Sequence, residues 1–121
     1  MAAETPPAVH LYTWGNKKHK QKPKPSDFNI CVTGISAYKP KGLNLKKING
    51  LNDRLQAKLQ RQPKYDMYMA SAIQKIQSTK PKIVSINCHK GRHRSVGFAE
   101  LLAVQLTELG YEVTIEHVDI C

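Results

Sequence analysis

The segment Ile83-Val84-Ser85-Ile86-Asn87-Cys88-His89-Lys90-Gly91-Arg92-His93-Arg94-Ser95-Val96 constrains the fold of this chain more than any other stretch. A β-branched apolar run ending at Asn87 is the pattern of a buried strand, and the apolar stretch from Val96 to Leu109, closed by Gly110, is the pattern of a helix. Tyr111 to Val118 then alternates as a final strand. A strand, helix and strand in so short a span predict a right-handed crossover, with the last strand parallel to the one before the helix. Ligands of such sheets sit beyond the carboxyl ends of the strands, which is where the turn from Cys88 to Ser95 falls.

That turn has the composition of an anion cradle. Gly91 can take backbone conformations closed to other residues, Lys90, Arg92 and Arg94 are cations, His89 and His93 are switchable ones, and Ser95 supplies a hydroxyl where the helix begins. The free N–H groups and positive dipole end of a helix point toward this place, so a phosphate there would meet backbone donors and a guanidinium together. The expected phosphate-binding set is Cys88, His89, Lys90, Gly91, Arg92, His93, Arg94 and Ser95.

The remaining chain supplies the other elements of an α/β domain. Pro6 and Pro7 deny a helix to residues 1–8, which read as a disordered tail. Val9 to Trp14 favours a first strand ending at Gly15, and Phe28 to Thr33 a second. Leu51, Leu55 and Leu59 mark one face of a helix starting near Asn52. Beyond Pro63, the spacing of Tyr65, Met69, Ala72, Ile73 and Ile76 predicts a helix over 64–77. The expectation is one small α/β domain over residues 9–121: a roughly four-stranded, mostly parallel sheet, about three helices, and an anion-binding loop between the third strand and the last helix. At 121 residues the chain is long enough for one core and too short for two.

Charge is segregated along the chain. All 19 Lys and Arg lie at or before Arg94, accompanied by four acids, whereas residues 95–121 hold five acids and no base. Such a one-sided field suits a polyanion, and no basic amphipathic helix suggests a membrane surface. Lys17, Lys18, Lys20, Lys22 and Lys24 stand in a loop that Pro23 and Pro25 keep extended, and Lys39, Lys41, Lys46 and Lys47 in a second loop after Gly34. These nine lysines are the expected contacts to RNA or DNA, made through phosphates with modest sequence preference.

Three widely spaced cysteines, Cys31, Cys88 and Cys121, form no disulfide framework and fit a reducing compartment, the cytoplasm or, given the lysine run, the nucleus. No signal peptide or membrane-length apolar run is present in the sequence. Cys88 with His89 or His93 would crowd one tight turn, and no distant Cys-His pair completes a tetrahedral set, so neither metal nor cofactor is expected. Written Cys-x-x-Gly-x-x-Arg-Ser, the turn also resembles the active loop of cysteine-dependent phosphatases, with Cys88 as nucleophile and Arg94 holding the phosphoryl oxygens. That family has His where this chain has Asn87. It also needs a carboxylic acid, and Asp27, Asp53, Asp66 and Asp119 all lie outside a Trp-Pro-Asp setting.

A wider resemblance covers roughly residues 9–120. Cys88-x-x-Gly91-x-His93-Arg94-Ser95-Val96, with Glu116-His117-x-Asp119 near the C-terminus and Asn49-Gly50-Leu51-Asn52 before the first helix, resembles the RapZ C-terminal domain family. That family comprises the C-terminal part of a bacterial RNase adaptor and its stand-alone relatives. The resemblance implies a regulatory, noncatalytic adaptor that binds structured small RNA, senses an amino-sugar phosphate such as glucosamine 6-phosphate, and self-associates. It adds Asn49, Gly50, Asn52 and His117 as candidates for the ligand pocket. Where the family's second strand carries Asp-x-Arg-x-Leu-x-Asn-Pro, this chain has Cys31, Thr33, Ile35 and Ala37.

Overall fold

Alternation along the strands decides which side of the sheet is wet. In the computed structural model, which describes residues 7–35, 49–89 and 93–119, Val9 and Leu11 share one face with Val84 and Ile86, while Tyr12, Trp14, Ser85 and Asn87 take the other. The elements follow in the order β1 (Ala8–Gly15), β2 (Phe28–Cys31), a 3-10 turn (Val32–Gly34), α1 (Asp53–Gln60), α2 (Tyr65–Thr79), β3 (Ile83–Cys88), α3 (Arg94–Glu108) and β4 (Glu112–His117). The four strands form an all-parallel sheet in the order β2-β3-β1-β4. The last strand is thus parallel to the third, as the β-α-β pattern requires, with β1 lying between them.

Helices cover the apolar face. Leu59 of α1, Met69, Ala72 and Ile76 of α2, and Phe98, Ala99, Leu102 and Leu106 of α3 pack with Val9, Leu11, Val84 and Ile86 in one core. Tyr65 meets Phe98 edge to face at a centroid distance of 6.0 Å. The last turn of α3 closes as a Schellman motif: Gly110 has φ +96°, its N–H bonds to the Thr107 carbonyl, and that of Tyr111 bonds to Leu106. Glycine is the residue that takes this conformation without a Cβ clash. Among the described residues no helix is long and apolar enough to cross a membrane.

The opposite face is polar and is crossed by the lysine-bearing loop. The Tyr12 hydroxyl donates to the Lys24 carbonyl, and the Ser26 and Ser85 hydroxyls meet at 2.9 Å. Ser85 and the Trp14 indole both donate to Asn29 Oδ1, at 2.7 and 2.9 Å, and Asn29 Nδ2 donates to Asn87 Oδ1 at 2.8 Å. Ser85 and Asn87, buried in the sheet, would each cost about 1–3 kcal/mol if left unpaired, so the network sets this loop's path over the sheet.

Three boundaries differ from the sequence expectation. The second strand ends at Cys31, not Thr33, because Val32 and Ile35 both enter the core; two residues three apart cannot share a strand face, and a 3-10 turn, closed by Ile35 N–H to Val32 O at 3.1 Å, puts them on one side. Helix α3 starts two residues early, so Arg94 and Ser95 belong to its first turn. The tail does not extend to residue 8: Ala8 is in β1, and the Glu112 N–H bonds to the Pro7 carbonyl, while residues 1–6 lie outside the described set.

Helix α1 is held against the start of α3 by a backbone approach at Gly50. A Cβ there would fall 2.3 Å from Gly97 N, 2.5 Å from His93 O and 2.6 Å from Val96 Cβ. Two of those atoms are main chain and cannot swing aside. Gly50→Ala is expected to lower stability by about 3 kcal/mol, read as a reduced urea midpoint, whereas Ala substitution at exposed Gln77 leaves the midpoint unchanged.

Candidate functional site

Strands β1, β3 and β4 end together, and their carboxyl ends meet the first turn of α3. Pairing continues past the strands: Asn16 N–H donates to the Cys88 carbonyl at 3.1 Å and Lys17 N–H to the His89 carbonyl at 2.8 Å. The lysine run therefore leaves the sheet already stitched to the first two residues of the expected cradle. Lys90, Gly91 and Arg92, together with Lys39, Lys41, Lys46 and Lys47, lie outside the described residues.

The described members of the cradle divide by burial. Cys88 is 3% exposed, and its thiol donates to Ser95 Oγ at 3.3 Å, Ser95 itself being fully buried. His89 is exposed and His93 half-buried. Arg94 does something the sequence did not foretell. Its Nη1 donates to the carbonyls of Thr33 (3.1 Å) and Ile35 (3.0 Å), which ties the 3-10 turn after β2 to the first turn of α3.

This tie brings in a residue that sequence reasoning missed as chemistry. Cys31, the last residue of β2, is exposed, and its Sγ lies 3.0 Å from the Thr33 hydroxyl. Partial burial pushes the thiol up, but hydrogen bonds from the Thr33 hydroxyl and backbone, another from the Asn87 side chain, and the Arg94 charge outweigh it, so the thiol is held below its ordinary value. In the sequence Cys31 stood out only as a departure from the strand pattern that the resemblance implies.

Of the resemblance-derived pocket residues, Asn49, Gly50 and Asn52 share one turn against the start of α3, and His117 ends β4. Gly50 abuts His93 as described, and its carbonyl accepts from Gln56 Nε2 at 2.7 Å. Asn52 caps α1, its Oδ1 accepting from Leu55 N–H at 3.1 Å, and Asn49 closes an Asx turn onto Leu51 N–H at 2.9 Å. Both amides thus hold the turn in place. His117 lies on the helix side of the sheet, its Nδ1 2.8 Å from buried Thr13 Oγ1 and its Nε2 3.4 Å from Glu100 of α3.

The lysine loop carries intramolecular ties of its own. Lys24 Nζ donates to both oxygens of Glu116 at 2.6 Å, which holds that carboxyl below its ordinary range, and Lys22 Nζ reaches Ser26 Oγ at 2.9 Å. Of the acids considered for phosphatase chemistry, Asp27 lies at the amino end of β3, accepting from the N–H groups of Lys82 and Ile83. Asp53 and Asp66 are exposed on the first turns of α1 and α2. Asp119 is at the carboxyl end, where it accepts from Gly15 N–H at 2.9 Å and pairs with His19 at 3.1 Å.

The family model of the RapZ C-terminal domain matches residues 8–121, from the first residue of β1 onward. The chain belongs to the RapZ C-terminal domain family. No match is found among curated proteins. In this RapZ C-terminal domain Cys88 ends β3, Arg94 opens α3, and Glu116 and His117 end β4 of an all-parallel sheet.

Two measurements follow from these environments. Brief iodoacetamide treatment at neutral pH is expected to alkylate Cys31 and spare Cys88, since one thiol is exposed and acidified and the other enclosed; peptide mass spectrometry reads the ratio. Burial lowers the His117 pKa below 6.5, against the opposing charge and hydrogen bond of Glu100. The unfolded chain therefore binds this proton more readily than the folded one, and stability falls as pH drops below about 6.5. Urea midpoints taken across that window should be less pH-dependent in His117→Gln.

Proposed function

We propose that this domain is a regulatory adaptor that binds structured RNA through its lysine-bearing loops and a phosphate or amino-sugar phosphate in the segment from Cys88 to Ser95. The observation that supports the reading is the backbone stitch from Asn16 and Lys17 to Cys88 and His89, which sets the start of the lysine run beside those two residues at the carboxyl end of the sheet. A polymer held along the loop would pass beside a small anion held at the helix start, so the two sites share one cationic field. Membership of the RapZ C-terminal domain family supports the adaptor role.

The residues have distinct tasks in this reading. Lys17, Lys18 and Lys20 supply phosphate contacts, joined by Lys39, Lys41, Lys46 and Lys47, while Lys22 and Lys24 also brace the loop through Ser26 and Glu116. N–H groups of the first α3 turn, with Lys90, Gly91, Arg92 and His93, receive the small anion. Arg94 fixes the neighbouring 3-10 turn through the Nη1 described above, so its loss should disturb both the anion site and the end of β2.

An electrophoretic shift series with an RNA hairpin, run over increasing salt, tests the polymer site. Binding should weaken steeply with salt, and Lys17→Gln, Lys18→Gln and Lys20→Gln together should lower the log–log slope by about 3. A salt-independent shift, or an unchanged slope in the triple variant, refutes it. Calorimetric titration with glucosamine 6-phosphate tests the small-anion site: Arg94→Ala should weaken binding about tenfold or more, and equal affinity in the two proteins removes Arg94 from that role.

A further inference from the structure

A second basic region lies at the amino end of β2 and β3 on the helix side of the sheet, opposite the face crossed by the lysine loop. Strand β2 is an edge strand, paired to β3 alone among the described strands. A trough runs between it and α2. One reach, about 350 Å³, is lined by Phe28, Ile30, Met67, Tyr68 and Ala72; the next, about 510 Å³, shares Phe28 and Lys75 and continues to Lys80 and Lys82. The floor is apolar, and Met67 is 60% exposed beside it.

The charges along this trough are unbalanced. Lys75 sits 4.5 Å over the Phe28 ring, so its charge stands at the junction of the two reaches. Lys80 ends α2 in the left-handed region, at φ 50°, where glycine would be the cheaper residue. The acid on this wall, Asp27, accepts from the N–H groups of Lys82 and Ile83, which lower its pKa. Three lysines thus line one end of a trough whose other end is apolar.

We propose that this trough docks an extended segment of a protein partner, added as a strand beside β2, with an acidic side chain among Lys75, Lys80 and Lys82 and apolar side chains over Phe28, Ile30 and Met67. An exposed sheet edge gives main-chain hydrogen bonds to any extended chain, and the alternate side chains that point into the groove set its specificity. Charge complementarity selects an acidic segment over a basic one. The apolar floor favours a peptide over a nucleic-acid backbone, which needs only the cations.

Selection of randomised displayed peptides on the full chain tests this. Enriched sequences should carry Asp or Glu followed by alternating apolar residues, and a synthetic copy of the best should move the amide resonances of Phe28–Cys31 and of residues 67–75. Its affinity should fall about tenfold in Lys75→Glu and in Lys82→Glu. Ser71→Arg, which fills the trough and leaves its lysines in place, should block binding too, and unchanged thermal midpoints establish that these variants are folded. Enrichment without acids, or resonance changes confined to the carboxyl end of the sheet, overturns the proposal. So does the nucleic-acid outcome, in which Lys75→Glu and Lys82→Glu weaken the binding of an RNA hairpin and leave peptide affinity intact.

Discussion

The parallel ladder between β1 and β3 is the interaction on which the carboxyl end of the sheet depends. It runs from His10 and Ile83 to Gly15 and Cys88 and then continues as loop, through the amides of Asn16 and Lys17. Because the ladder sets the register, a one-residue slip would turn Val84 and Ile86 away from the helices and present Ser85 and Asn87 to the core. It would also detach the lysine run from Cys88 and His89. Core packing and placement of the cationic loop are therefore specified by the same hydrogen bonds.

A second constraint comes from the first turn of α3, which is gripped from two sides. Gly50 presses against His93 and Gly97 from the α1 side, and Arg94 reaches across to the carbonyls that follow β2. The helix start is thus fixed by the fold itself, through main-chain contact on one side and a guanidinium on the other. Cys88 and Ser95 form the buried base of this arrangement, with the thiol–hydroxyl contact joining strand to helix.

Much of the fold was legible in the sequence because the decisive signals were local. The β-branched run at Ile83–Ile86, the apolar stretch ended by Gly110 and the stripe from Tyr65 to Ile76 each specify an element without outside help. What escaped was nonlocal. The end of β2 is set by the need of Ile35 to reach the core, the partly buried Asn29–Asn87–Trp14 network reads in sequence as scattered polar residues, and the carbonyl contacts of Arg94 depend on a turn about sixty residues upstream. At the site, the residue types of 88–95 were visible as a basic Gly-containing turn; the acidified thiol of Cys31 and the capping roles of Asn49 and Asn52 required coordinates.

The sheet order has a consequence for how the polypeptide acquires its structure. Strand β1 is made early but pairs on either side with β3 and β4, both encoded in the last third of the chain. During synthesis it waits without a neighbour until most of the protein has emerged, and closing so long a loop makes its incorporation slow. A product lacking β4 would leave the backbone edge of that central strand from Ala8 to Thr13 unpaired, an edge suited to chaperones and to misassembly.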